Sequence, residues 1–181
     1  MPILQQYNAA AVDGGTLSGV MRLIGEARAQ FGASFPLVGV TAAGTVQLPG
    51  RPARPDVDTV LEPHHTHFII VPGDEWGAES PWIADTTTVL AGGRPSVTVL
   101  INGGEIAYAD VERSVQASRR VVVVDGSGRT ADAIAAALVG ESSDERAGRL
   151  AGTGLIDTVP LDEPAALAAL LGDVIGQNPQ A

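Results

Sequence analysis

The chain has 181 residues, of which 45% are hydrophobic and only 4% aromatic, and its formal net charge is −10. So acidic a chain is not expected to bind nucleic acid or an anionic membrane surface non-specifically. It has no cysteine, which excludes disulfides and thiolate chemistry, and no apolar run approaches the length of a membrane span. We therefore expect a cytoplasmic protein without membrane insertion, with a core of Val, Leu, Ile and Ala.

Hydrophobic periodicity predicts alternating strands and helices along the chain. The predicted strands cover residues 9–12, 36–41, 67–71, 96–101, 121–124 and 155–160. The predicted helices cover residues 18–31, 79–90, 105–116, 129–138 and 163–175. This order is typical of an α/β, Rossmann-like three-layer sandwich with a mostly parallel sheet. The length predicts one domain spanning residues 1–181.

The stretch VVVVDGSGRTADAIAAAL, residues 121–138, combines a buried strand, a glycine turn and a helix N-terminus. Four consecutive valines predict a strand covered on both faces, as in a parallel sheet. The unpaired N–H groups and the positive dipole at the start of the helix favour an anionic ligand. Arg129 adds a planar guanidinium suited to phosphate. This stretch therefore predicts a site for a phosphate-bearing ligand.

Four predicted strands end in glycine-containing turns: DGGT, PGDEWG, NGGE and DGSGR. Parallel strands end at one edge of a sheet, so these turns predict a single ligand-binding rim. None matches GxGxxG, so dinucleotide specificity does not follow. The candidate ligand-binding residues are Gly14, Gly15, Thr16, Gly73, Asp74, Glu75, Trp76, Gly77, Glu79, Asn102, Gly103, Gly104, Gly126, Ser127, Gly128, Arg129 and Thr130.

Each candidate also has a purely structural interpretation. The glycines could serve only to permit tight turns. Arg129 could pair with Asp125 or Asp132, although a cation is unfavourable at a helix N-terminus. Trp76 could stack on a base or plug the space over the next helix. Glu79 could cap that helix rather than act as an acid or base.

Two further segments were considered as functional elements. His64, His65 and His67 resemble a metal cluster, but no other His or Cys completes a site, so no metal is expected. Residues 49–63 are rich in Pro, Arg and Asp and are long for a connection in a compact domain. This loop is therefore a candidate lid.

Five segments together resemble the prokaryotic LSDAT branch of the SLOG superfamily. They are DGGTLSGVMRLIGEA, FPLVGVTAAGTV, HHTHFIIVPGDEWGAES, VTVLINGGE and VVVVDGSGRTADAIAAA, in that order between Asp13 and Ala137. The branch is similar to the N-terminal homology region of the melastatin-type TRP channels. DGGTLSGVM also resembles the GGGxxGLMG motif of the more distant LOG phosphoribohydrolases.

The resemblance implies a Rossmann-like domain that binds a small-molecule nucleotide, and ADP-ribose is the leading candidate. The expected domain binds the nucleotide without turnover and has neither a catalytic residue nor a cofactor. By position, Gly14, Gly15 and Thr16 would approach phosphate, Trp76 would stack, and Arg129 would grip phosphate. One alternative is a LOG-like hydrolase of nucleoside monophosphates in which Glu79 helps to activate water. Another is an interaction module with a vestigial pocket. The family's first strand–helix unit is not recognised in the sequence, and a homodimer fits the superfamily.

Overall fold

The computed structural model describes residues 2–176, and these form two compact units that divide between Leu90 and Ala91. The helices and strands of the N-terminal unit are α1 (Pro2–Gln6), β1 (Ala11–Asp13), α2 (Gly19–Gln30), β2 (Leu37–Ala42), β3 (His67–Val71) and α3 (Ser80–Ala91). Those of the C-terminal unit are β4 (Val97–Ile101), α4 (Glu105–Gln116), β5 (Arg120–Asp125), α5 (Arg129–Leu138), α6 (Glu145–Ala151), β6 (Ile156–Pro160) and α7 (Pro164–Ile175).

The strands form two three-stranded parallel sheets, in the orders β1-β2-β3 and β4-β5-β6. The expected α/β, Rossmann-like fold with parallel strands is confirmed. The four glycine turns are divided two and two, because DGGT and PGDEWG follow strands of the first sheet, and NGGE and DGSGR follow strands of the second. Sequence patterns identify strands but not the partners with which they pair, so they do not predict the division into two sheets. The single ligand-binding rim stays a prediction.

The central strand of each sheet is its most buried element. All six residues of β2 are buried, and so are Val121 to Val124 of β5. Strands of this kind need apolar side chains on both faces because helices cover a parallel sheet on each side. In the C-terminal unit, Val111 of α4 and Ile134 of α5 complete the core with Val121 and Val123. The buried strand therefore places the DGSGR turn at the end of the best-packed element.

Helix α2 packs inward through only part of its apolar face. Hydrophobic periodicity groups Val20, Leu23 and Ile24, but Val20 and Leu23 are 40% and 55% exposed, whereas Ile24 packs against the core. The inward residues also include Gly25, which is buried, and Arg28, whose Nε donates to the Phe35 carbonyl at 2.9 Å. A glycine and an arginine carry no hydrophobic signal, so periodicity identifies this face only in part.

The candidate lid is tied to the turn after β1. The backbone N–H of Glu62 donates to the Gly15 carbonyl at 2.9 Å, and that of Leu17 donates to Val60 at 2.9 Å. The Gln47 side chain holds the loop interior by donating to the carbonyls of Arg54, at 2.6 Å, and Val57. These contacts make residues 58–62 part of the wall behind the DGGT turn rather than a free flap.

Among residues 2–176, no helix is both long enough and apolar enough to span a bilayer.

Candidate functional site

In the N-terminal unit, a buried chain of ionisable side chains supports the DGGT turn. Asp13 ends β1, and its Oδ1 accepts from the Gly15 N–H at 2.7 Å and from His65 Nε2 at 2.8 Å. The other ring nitrogen of His65 donates to Glu62 Oε2 at 2.7 Å. Glu62 also accepts from the His64 backbone N–H at 2.9 Å and pairs with His64 Nδ1 at 2.6 Å.

The charge state of this chain follows from its geometry. Both ring nitrogens of His65 face carboxylate oxygens, which accept hydrogen bonds but do not donate them when ionised. With both carboxylates ionised, the imidazole carries both protons, in keeping with the raised pKa of His65. The side chains of His65 and Glu62 are both fully buried. The Asp13–His65–Glu62 triad is thus a buried ionic group that fixes the conformation of the DGGT turn.

Sequence reasoning missed this triad because it tested the histidines only as metal ligands. Within the part of the chain that the structure describes, no group of three or more His, Cys, Asp or Glu side chains is arranged to hold a metal ion. The one available signal was the segment EPHHTH that leads into β3, in which Glu62 stands three residues before His65.

The triad predicts a stability profile with two limbs. Burial would lower the pKa of His65, but the hydrogen bonds and charges of Asp13 and Glu62 outweigh it and raise that pKa above 6.5. Burial would raise the pKa of Glu62, but the hydrogen bonds from His65 and His64 lower it below 4.5. The His65 contribution is therefore complete below pH 6.5 and lost as pH rises through its folded-state pKa, whereas the Glu62 contribution is complete above pH 4.5 and lost as pH falls.

We expect the thermal unfolding midpoint of the wild type to fall as the pH becomes alkaline. The fall should be smaller in His65→Gln, because this variant lacks the ionisable imidazole of His65. Unfolding followed by circular dichroism from pH 5 to pH 9 would measure both slopes. His67→Gln is the control, because the His67 side chain is exposed and, within residues 2–176, its hydrogen bond is to Thr66 Oγ1 at 2.8 Å. Parallel profiles for all three proteins would contradict the assignment of charge to His65.

The glycines of the DGGT turn permit close backbone contact. Gly15 has φ +67°, and a methyl group added there would lie 2.7 Å from the Gly39 Cα of β2. The Gly14 carbonyl accepts from Thr41 Oγ1 at 2.6 Å. Thr16 is buried, and its hydroxyl lies 3.0 Å from that of Ser18. The first three candidate residues therefore sit on a rigid base at the end of β1.

The PGDEWG turn packs against the end of β2 within the same unit. Gly73 makes this contact through its backbone, since its carbonyl accepts from the Gly44 N–H at 2.7 Å. Asp74 lies so close that a methyl group on Gly44 would be 2.4 Å from the Asp74 Cα. Glu75 is exposed and Trp76 is 51% exposed. That exposure does not fit the interpretation of Trp76 as a hydrophobic plug.

Glu79 is buried, and its Oε2 accepts from the Gly77 N–H at 3.0 Å, just before α3 begins. This contact supports the structural interpretation, in which Glu79 shapes the turn. Trp82, in the first turn of α3, is 46% exposed.

In the C-terminal unit, the NGGE and DGSGR turns are bonded to each other. The Asn102 N–H donates to Ser127 Oγ at 2.8 Å, and Asn102 Nδ2 donates to the Ser127 carbonyl at 2.8 Å. Thr130 Oγ1 donates to the Gly104 carbonyl at 2.9 Å. Gly103 lies next to Thr130: a methyl group added to Gly103 would be 3.5 Å from Thr130 Cβ. Ser127 Oγ itself donates to Val124 at 2.5 Å, so its hydroxyl is engaged in holding the turn.

Part of the anion-binding backbone expected in DGSGR is already occupied. Asp132 Oδ1 accepts from the N–H groups of Gly126, at 3.0 Å, and Gly128, at 2.9 Å. This corrects the expectation that all the N–H groups of the turn are unpaired, and it does not fit the structural alternative in which Asp132 pairs with Arg129. The N–H groups of Arg129 and Thr130 have no acceptor among residues 2–176 and remain available.

Arg129 adopts a conformation that its residue type disfavours. Its φ is +53°, which costs a non-glycine residue about 1 kcal/mol. The side chain is exposed, and within the described residues its guanidinium forms no ion pair. It lies against the NGGE turn, where a methyl group on Gly104 would be 2.9 Å from Arg129 Nη2. Strain of this kind is concentrated at functional sites.

An open groove in the N-terminal unit lies apart from the predicted site residues. It measures about 610 Å³ and runs along the loop after β2, lined by Leu48, Val57 and Leu61 among others. An open groove with few convergent polar groups is a poor small-molecule site. The NGGE and DGSGR turns of the C-terminal unit are the better candidate because their polar groups bond to one another.

Parallel strands flanked by helices, with glycine turns at the strand ends, define a Rossmann-like domain. The chain belongs to the family described as SLOG in TRPM, prokaryote, which matches residues 1–169.

Two relatives are similar over most of the chain. The transient receptor potential cation channel subfamily M member 2 of Mus musculus is 29% identical over 168 residues, 74% of this chain and 11% of that protein. The Rattus norvegicus protein of the same name is 28% identical over the same shares. The chain therefore spans about a tenth of the length of these channels. A solved structure, that of TM1055, has a TM-score of 0.54 at 18% identity and covers 92% of this chain and 81% of its own, which supports the fold alone.

Proposed function

We propose that this domain binds a phosphorylated nucleoside, with ADP-ribose as the leading candidate, and does not turn it over. The observation that carries the proposal is Arg129, which is held in a left-handed conformation, exposed, and close to Gly104. A strained arginine at the start of α5 costs stability, and within the described residues its guanidinium forms no ion pair. A ligand phosphate would give it the bidentate partner that it lacks.

Membership of the family supports a nucleotide rather than another anion as the ligand. The free N–H groups of Arg129 and Thr130 add donors beside the guanidinium. In the N-terminal unit, Trp76 is exposed in the PGDEWG turn, which leaves its aromatic face available for stacking. Binding without turnover is favoured because Glu79, the one candidate for activating water, is buried and accepts from Gly77.

Isothermal titration calorimetry with ADP-ribose, AMP and NAD, followed by chromatography of each mixture, tests the proposal. We expect saturable binding with the ligand recovered intact. Release of free base from a nucleoside monophosphate would replace the proposal with hydrolysis, and Glu79→Gln would then be the variant to compare. The absence of binding to any nucleotide would contradict it.

Arg129→Ala should weaken ADP-ribose binding at least tenfold, about 1.4 kcal/mol, through loss of a charge-assisted contact. Arg129→Gly should weaken it equally while raising the unfolding midpoint, because glycine adopts φ +53° without strain. Arg113→Ala, in the last turn of α4, is the matched control and should leave affinity unchanged. Equal affinity in the Arg129 variants and the wild type would refute the assignment.

A further inference from the structure

A second arginine, Arg146 on α6, lies against the first residue of α4. It was not among the candidate residues predicted from the sequence. Arg146, on α6, places Nη1 2.6 Å from Oε2 of Glu105, the first residue of α4. Its guanidinium carbon lies 4.1 Å from the centre of the Tyr108 ring. Glu105 directly follows Gly104, which carries no side chain that could cap the helix. The arginine is thus aimed at the NGGE turn.

Arg146 is held in place independently of Glu105. Its Nη2 lies 3.3 Å from Asp144 Oδ2, and the Tyr108 hydroxyl donates to the same oxygen at 3.0 Å. The hydrogen bond from Arg146 lowers the pKa of Asp144 to about 2, so that carboxylate stays ionised. Stacking on Tyr108 and pairing with Asp144 fix the guanidinium before any ligand arrives.

Glu105, in contrast, is only loosely held. Its side chain is 80% exposed, and within residues 2–176 its ion-pair partner is Arg146. Exposed ion pairs contribute little to stability, since water competes for both groups. A more highly charged anion could therefore displace the Glu105 carboxylate from Arg146 without disturbing the fold.

Arg129 reaches the same place from α5. Its Nη2 lies against Gly104, the residue before Glu105. The pKa of Glu105 is lowered mainly by the hydrogen bond and charge of Arg146, and further by the charge of Arg129. One carboxylate thus faces two guanidinium groups, but it bonds only to Arg146.

We propose that Glu105 is an internal occupant of a two-arginine anion site, and that a ligand with two linked phosphoryl groups displaces it. One phosphoryl group pairs with Arg146 and the other with Arg129, so both planar donors gain an acceptor. The anionic part of the ligand is then a diphosphate. That the ligand also has a nucleoside part rests on the proposed function.

Pyrophosphate is the probe that isolates the anion site, because it has no base or ribose. We expect Glu105→Gln to bind pyrophosphate about three- to tenfold more tightly than the wild type, since the competing carboxylate is gone. Arg146→Gln should bind it at least about fivefold more weakly. Arg149→Gln, on the same helix and exposed, is the control and should match the wild type. Titration calorimetry at low salt gives the affinities.

Several outcomes would overturn the inference. Arg146→Gln could lower the unfolding midpoint while leaving pyrophosphate affinity intact, which would make Arg146 purely structural. Weaker binding in Glu105→Gln would mean that Glu105 helps to bind the ligand. Absence of pyrophosphate binding even in Glu105→Gln would also refute it.

The same variants separate this inference from the proposed function. ADP-ribose binding that depends on Arg129 but is unaffected at Glu105 and Arg146 would refute only the two-arginine site. Pyrophosphate binding with the expected pattern, but without affinity for any nucleotide, would refute only the proposed function.

Discussion

Replacement of His65 by leucine should lower the free energy of unfolding by about 3–5 kcal/mol, the usual cost of leaving a buried charge without its partner. The His65 ring nitrogens lie 2.7 Å from Glu62 and 2.8 Å from Asp13, and the His65 and Glu62 side chains are fully buried. Leucine would remove both hydrogen bonds and leave the Glu62 carboxylate with only His64 to compensate it. The change should also free the DGGT turn, because Asp13 would lose one of its two partners.

Urea denaturation at pH 6, followed by circular dichroism, measures this loss. His67→Leu is the matched control, because the hydrogen bond of the exposed His67 within the described residues is to Thr66, and its change should stay within about 0.5 kcal/mol. The double variant His65→Leu/Glu62→Leu should recover part of the loss, since an apolar pair of similar size replaces a buried ion pair at little cost. A loss below about 1 kcal/mol for His65→Leu would show that the triad is not ionic.

The sequence predicted the regular elements well where hydrophobic periodicity was strong. The bounds of α4 and α5 agree with the structure at both ends, because each helix follows a glycine turn and carries a clear apolar face. Helix α6 was missed: it has seven residues, and its start depends on Asp144, which accepts from the N–H groups of Arg146 and Ala147. A single capping residue before a short helix gives too weak a signal to distinguish it from a loop.

The candidate site was predictable only in part. Glycine turns after strands could be located from composition alone, and the structure places them at strand ends. Which groups bond within those turns could not be predicted, because Asp132 lies a full helical turn beyond the glycine amides that it occupies. His65 and Asp13 are 52 residues apart in sequence. Contacts at that separation depend on strand pairing, which no local pattern encodes.

Gly25 presents the sharpest packing constraint in the N-terminal unit. A methyl group added there would lie 2.2 Å from Glu62 Cδ and from Oε2. Alanine in a helix is favoured over glycine by about 1 kcal/mol, so propensity alone predicts that Gly25→Ala is stabilising. The contact predicts the opposite, because hydrogen bonds to His64 and His65 hold the carboxylate in place. We expect Gly25→Ala to destabilise the protein by about 3 kcal/mol, at the upper end for overpacking.

A double-mutant cycle tests whether the cost arises at Glu62. Glu62→Asp shortens the side chain by one methylene and makes room for the alanine, so Gly25→Ala should cost much less in the Glu62→Asp background. Gly148→Ala in α6 is the control, because a methyl group there meets nothing within 4 Å. It should stabilise the protein by up to about 1 kcal/mol. If Gly25→Ala is as stabilising as Gly148→Ala, Glu62 is free to move and the buried triad does not hold it. If only Gly25→Ala is destabilising and Glu62→Asp relieves it, the inward face of α2 is set by a carboxylate rather than by apolar side chains.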